Sequence, residues 1–232
     1  MKNLCSKPAV DPEKMGIKMA SFSTNFHPLE QGFHFTNSFE FNFKLGLPLA
    51  NPIHLKDIFY GLCGGMCFTA LDYFNAGLPI PSFTEVDRLP PELLSYLHRR
   101  QLDSLNLPVI PKVIEWMLRS DLDVSRLTAC SEVPKLRIRL KDGQPVVLGL
   151  IRVHTGKSPT ENHQVLATGY DIEDQTNALT IHLYDPNHPA EEPTLLLDIS
   201  QPSQGLSIRQ STGEALRAFF VINYKERKPP FI

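Results

Sequence analysis

The chain predicts an α+β fold, and two observations carry that expectation. Between residues 63 and 141, apolar side chains recur at helical spacing and are punctuated by proline and glycine. After Gly143 the pattern changes to short runs of branched and aromatic residues separated by turn signals. Helices first and antiparallel strands second is an α+β plan, with an N-terminal helical half packed on a C-terminal antiparallel sheet. The composition supports a packed core, with 42% hydrophobic and 21% charged residues among 232.

Residues 1–20 are polar, carry Pro8, Pro12 and Gly16, and read as a loose arm. "FSTNFHPLEQGFHFTNSFEFNFKL" then alternates aromatic and polar residues. Phe33, Phe35, Phe39, Phe41 and Phe43 fall mostly at period two, which predicts extended strands with one buried face. Residues 1–55 are therefore expected to form an N-terminal extension with strands, ahead of a main domain over 56–232. "GLPLANPIHLKDIFYGL" is a loop entering the cysteine segment.

Over 64–76, Cys63, Cys67, Ala70, Leu71 and Phe74 follow i, i+4, i+7, i+8, i+11, an apolar helical stripe ended by Gly77 and Pro79. Residues 90–104 open on Pro90-Pro91 and carry Leu93, Leu94, Leu97 and Leu102. Residues 110–120, "IPKVIEWMLRS", are short and amphipathic, and a further helix is expected from about Ser131 into "KLRIRLKDG". "QPVVLGLIRV" is a buried strand by its continuous apolar run. "HQVLATGYDI" and "NALTIHLYD" form a hairpin around "EDQTN", and "PTLLLDIS" and "AFFVINY" complete the sheet.

Several function classes lose support here. A formal charge of −2 and a pI near 6.4 give no electrostatic case for a nucleic-acid partner. The one basic run, His98-Arg99-Arg100, reads as the solvated side of a helix. No apolar run approaches the ~20 residues of a membrane span. The N-terminus lacks the apolar stretch of a signal peptide, so cytoplasmic residence in a bacterial-type cell is expected, with signal-independent export still compatible. Cysteines at 5, 63, 67 and 130 are too scattered for a disulfide framework, so reduced thiols are expected.

The chemistry concentrates in "YGLCGGMCFTALDYFNAGLP". Cys63 stands at the helix start, where unsatisfied N–H groups and the positive dipole end favour thiolate. Gly64 and Gly65 let other backbone approach closely. Cys67 lies one turn in on the apolar stripe, where a cysteine behaves as a small hydrophobe. A thiolate nucleophile needs an imidazole and a group to orient it. His163 opens one strand and Asp185 closes the next, so a hairpin brings them together at its open end.

"CGGMC" entering an apolar helix resembles the cysteine segment of papain-like peptidases, and "NHQVLATGYD" is similar to their histidine strand. The order "LKDGQPVVLGLI…HQVLATGYD…IHLYDP" looks most like the bacterial branch that includes the double-glycine-leader peptidases. The resemblance spans roughly residues 60 to 190 and implies a papain-like cysteine peptidase fold over the main domain. It assigns the nucleophile to Cys63, the base to His163 and the orienting acid to Asp185, with a peptide or protein substrate and no cofactor or metal. Those families usually carry a glutamine six residues before the nucleophile, whose amide helps bind the oxyanion. Here Asp57 stands in that position, and losing one such donor typically costs about 10²–10³ in rate. Backbone N–H groups at Cys63 and Gly64, or the side chains of Asn51 or His54, are the candidate replacements.

Other readings stand beside this one. Asp185 before Pro186 is equally well explained as a turn-former. Cys63 and Cys67 with His163 make a poor zinc set, because no second cysteine pair exists. His182, Asp185 and His188 have ligand chemistry, but 182 and 185 point to opposite faces of a strand. The expected function is thiol-dependent hydrolysis or acyl transfer on a peptide or other amide. The alternative, favoured by Asp57, is an inactive papain-like fold that binds a peptide or protein.

Overall fold

A computed structural model of the chain describes residues 19–39, 61–173, 175–204 and 206–232. Asn51, His54 and Asp57, the ends of the phenylalanine run at Phe41 and Phe43, and Cys5 lie outside the described residues. The fold is α+β. Strand β1 (Met19–Ser23) and the short helix α1 (Pro28–Gln31) come first, followed by α2 (Cys63–Asn75), α3 (Pro91–Ser104) and α4 (Val109–Leu118). Helix α5 (Asp121–Leu127) passes through a π-helical turn, Thr128–Glu132, into α6 (Val133–Lys141). Strands β2 (Val146–Ile151), β3 (His163–Glu173), β4 (Ala178–Tyr184), β5 (Thr194–Asp198), β6 (Ile208–Gln210) and β7 (Ala218–Val221) then build the sheet.

The sheet is antiparallel throughout, in the order β6-β5-β4-β3-β2-β7, with β1 also paired to β3. Strand β3 is the spine. Its first half pairs β2 and its second half pairs β1, on either side of an irregularity between Ala167 and Gly169. The edge of β7 is not left open. Thr128 Oγ1 accepts from Phe219 N and donates to Phe219 O, and Glu132 accepts from Val221 N. Side chains thereby satisfy groups that an unpaired edge would expose.

The continuous apolar run of β2 follows from burial on both faces. Val147 and Ile151 join the core around α2, while Val146, Leu148 and Leu150 join the core under α6. Helix α2 is surrounded: every residue from Cys63 to Tyr73 is buried, including Asp72. Its double glycine has a packing cause. A Cβ on Gly65 would lie 2.4 Å from the Leu97 carbonyl of α3, and one on Gly64 would meet Ser104 and Gln164 side chains at 2.1 and 2.4 Å. Only hydrogen at these positions lets α2 seat against both α3 and β3.

Three expectations need correction. The aromatic run over 33–39 is not a strand. Phe33, Phe35 and Phe39 are all buried, but they insert into the α2 core from an irregular segment without a ladder partner. Arg100 is not on a solvated face. It is 1% exposed, pairs with Asp72 at 2.7 Å, and lies over the Phe68 ring. Asp72 also accepts from Tyr96, Tyr224 and the Arg227 N–H, which pins the C-terminal segment to α2 and α3. Cys130 is disulfide-bonded, whereas Cys63 and Cys67 are free thiols. Disulfide formation depends on spatial approach, which cysteine spacing in sequence does not reveal.

The segment 19–39, expected within an N-terminal extension, supplies β1 to the sheet and four phenylalanines to the α2 core. No helix among the described residues is long and apolar enough to cross a membrane.

Candidate active site

Cys63 is the first residue of α2 and is buried. The helix has no side-chain N-cap, so its donors are satisfied by residues from elsewhere. Leu62 N donates to Asn37 Oδ1 at 2.6 Å, and Gly65 N donates to Gln101 Oε1 at 2.7 Å. Asn37 also bonds the turn after β4: its N–H donates to the Pro186 carbonyl at 2.9 Å, and its Nδ2 donates to Asn187 Oδ1 at 3.1 Å. One asparagine from the N-terminal segment thus ties the start of the cysteine helix to the turn that carries Asp185.

The hairpin β3–β4 places His163 and Asp185 together. His163 Nε2 lies 2.6 Å from Asp185 Oδ1, both side chains being buried. His163 also lines the same pocket as Cys63, where its charge and hydrogen-bonding capacity act on the thiol together with the backbone of Gln164 and Gly64. Cys63, His163 and Asp185 therefore form one connected row. Cys67 is fully buried one turn deeper, its thiol directed at the Gln164 carbonyl at 3.7 Å.

The electrostatics separate the two thiols. Burial pushes Cys63 up, but the charge and hydrogen bond of His163, with the Gln164 and Gly64 backbone, hold it below its ordinary value. Burial, with no imidazole to offset it, pushes Cys67 well above the ordinary thiol range, and Cys63 and Asp185 push it further. Burial works to lower His163, yet the charges of Asp185 and Cys63 and their hydrogen bonds raise it to about 9. Burial likewise raises Asp185, and its contacts with His163 and the Asn187 N–H outweigh that and leave it depressed. A thiolate–imidazolium pair held by a buried carboxylate is the state this arrangement favours.

Asp185 has a support that the sequence did not reveal. Its Oδ1 accepts from Asn187 N at 2.9 Å and its Oδ2 from Gln210 Nε2 at 3.0 Å. Gln210 Oε1 in turn accepts from Arg152 at 3.2 Å. The carboxylate is therefore fixed from the far edge of the sheet, 25 residues on in sequence. Gln210 ends a three-residue strand with no run of apolar residues, so no sequence signal marks it. The histidines once weighed as metal ligands do not converge. The His182 ring pairs with Asp171 at 2.7 Å and the His188 ring with Glu214 at 2.9 Å, rather than with the Asp185 carboxylate. Among the described residues, no group of three or more His, Cys, Asp or Glu side chains is placed to hold a metal ion.

Cys63 and His163 open onto a pocket between α4, β2 and β7, with about 660 Å³ of atom-free space including its mouth. No protein-family model, curated protein or solved structure matches the chain.

Proposed function

We propose that the protein is a thiol-dependent hydrolase or acyl transferase of papain-like architecture, acting on a peptide or other amide through Cys63, His163 and Asp185. One observation carries the reading: a buried thiol whose pKa is lowered by a buried histidine, itself bound to a buried aspartate, at the wall of a pocket. A cysteine kept only for packing has no need of that imidazole, and Cys67 on the same helix shows the contrast.

In the proposed reaction the Cys63 thiolate attacks the substrate carbonyl, forming a carbon–sulfur bond. The developing oxyanion sits at the start of α2, where helix-end N–H groups favour negative charge. The His163 imidazolium gives its proton to the leaving nitrogen as the carbon–nitrogen bond breaks. Water, or a second acceptor, then attacks the thioester, loses its proton to His163 and releases Cys63. Asp185 keeps the ring oriented and stabilises its charged form throughout.

The test compares the parent with Cys63→Ala on pooled peptides, simple amides and thioesters. Turnover by the parent and its loss in the folded variant is the expected result. A folded parent with a reactive Cys63 and no turnover of any class moves the reading to a peptide- or protein-binding module.

A further inference from the structure

The walls of the pocket beside Cys63 are specific in their chemistry. Leu105, Ile110, Val113, Ile151, Phe220 and Ile222 line it, and apart from the Cys63–His163 pair itself no charged residue does so among those described. Helix α4 is the unusual wall. Ile110 and Val113 are only half-buried and Ile114 is 43% exposed, so an apolar face stands open toward the thiol.

The polar groups around this space are nearly all committed. Strand β2 is paired on both edges, to β3 and to β7, and the outer edge of β7 is bonded by Thr128 and Glu132. Asn162 accepts from Arg152 N and donates to the Pro159 carbonyl, Thr160 bonds Ser158, and Gln101 accepts from Gly65 N. Among the buried side-chain polar atoms of the described lining, only Gln164 Oε1 has no hydrogen-bond partner. Gln164 is 6% exposed, and its Oε1 lies where a Cβ on Gly64 would come within 2.4 Å, next to the thiol. That oxygen has almost no accessible surface, so it is not presented to a ligand and the walls offer side chains that are either apolar or already paired.

We propose that this pocket receives an uncharged aliphatic acyl group, the one whose carbonyl Cys63 attacks. This rests on the nucleophile reading above and narrows its substrate class. An extended peptide in the pocket would bring an N–H and a C=O at every residue to apolar walls whose polar groups are already paired, and most would be buried unpaired. A hydrocarbon chain needs no such partners.

The test uses alkyl chloromethyl ketones, whose carbonyl and leaving chloride let Cys63 be alkylated without turnover. The rate of modification of Cys63, located by peptide mass spectrometry, is divided by the iodoacetamide rate of the same protein. Each methylene fully buried is worth about fourfold. Going from methyl to hexyl should therefore raise the normalised rate about tenfold or more, and a carboxylate at the chain end should remove the gain. Ile114→Glu, at a part-exposed position on the open face, should flatten the series. A flat series in the parent, or a faster reaction with a tripeptidyl chloromethyl ketone than with the hexyl reagent, overturns the acyl pocket and leaves the nucleophile standing. A folded protein whose Cys63 resists iodoacetamide overturns the nucleophile reading, and the pocket proposal with it.

Discussion

Exchanging Asp185 for asparagine removes one charge from the site while keeping the shape of the side chain. In the parent, His163 is held at about 9, against an ordinary value near 6.5. That difference corresponds to about 3 kcal/mol in favour of the imidazolium, as an order of magnitude. Burial by itself lowers a histidine, and Asp185 is the leading charge opposing it. In Asp185→Asn the balance reverses, His163 becomes neutral near pH 7, and Cys63 loses the cation that keeps its thiol low. The reaction of Cys63 with iodoacetamide at pH 7 should then fall about tenfold or more, recovering only in alkaline solution. The amide also presents its NH₂ to Gln210 Nε2, a donor facing a donor. There is an acid-side consequence as well. Asp185 is depressed in the folded chain, so its contribution to stability is present above about pH 4 and is lost as pH falls through its lower folded value. The parent should lose more stability on acidification than Asp185→Asn. Superimposable alkylation profiles for parent and Asp185→Asn would refute this account of the triad.

Four further substitutions test the packing that positions the site. Cys67→Ala should lower stability by about 1 kcal/mol in denaturant melts, because it opens a small void in a fully buried stripe, and should leave Cys63 reactive. Arg100→Met leaves Asp72 buried without its guanidinium, and a loss of about 3–5 kcal/mol is expected from the same melts. Gly65→Ala should cost more stability than Gly64→Ala. Its new methyl meets the Leu97 backbone carbonyl at 2.4 Å, whereas the Gly64 methyl meets only side chains, an overpacking worth about 1–3 kcal/mol.

The elements with one dominant cause were legible in sequence. The stripe through Cys63, Cys67, Ala70 and Leu71 is a helix, and "QPVVLGLIRV" and "HQVLATGYDI" are strands, because burial alone imposes those patterns. Helix α5 was missed although its signal is present: Ser120 caps the Asp123 N–H, and Asp121 and Asp123 fill the first turn. The phenylalanines at 33, 35 and 39 show how period two arises without a strand, when an irregular chain threads between core elements. Arg100 shows the limit of charge patterning, since its partner Asp72 sits 28 residues earlier on another helix. Cys63, His163 and Asp185 were each named from local context, and the structure brings them into one row. Gln210 and Asn37 were not named. Their roles come only from contacts across the fold, and a lone amide side chain in sequence carries no mark of such a contact.

The most direct measurement is the alkylation of the native parent by iodoacetamide across pH, with each modified cysteine located. Two free thiols stand four residues apart on one buried helix, so the comparison is internal. The account predicts that Cys63 reacts at a pH below the range of an ordinary thiol, while Cys67 stays unmodified until the protein unfolds. Equal labelling of Cys63 and Cys67, or labelling of Cys63 only after unfolding, would contradict it.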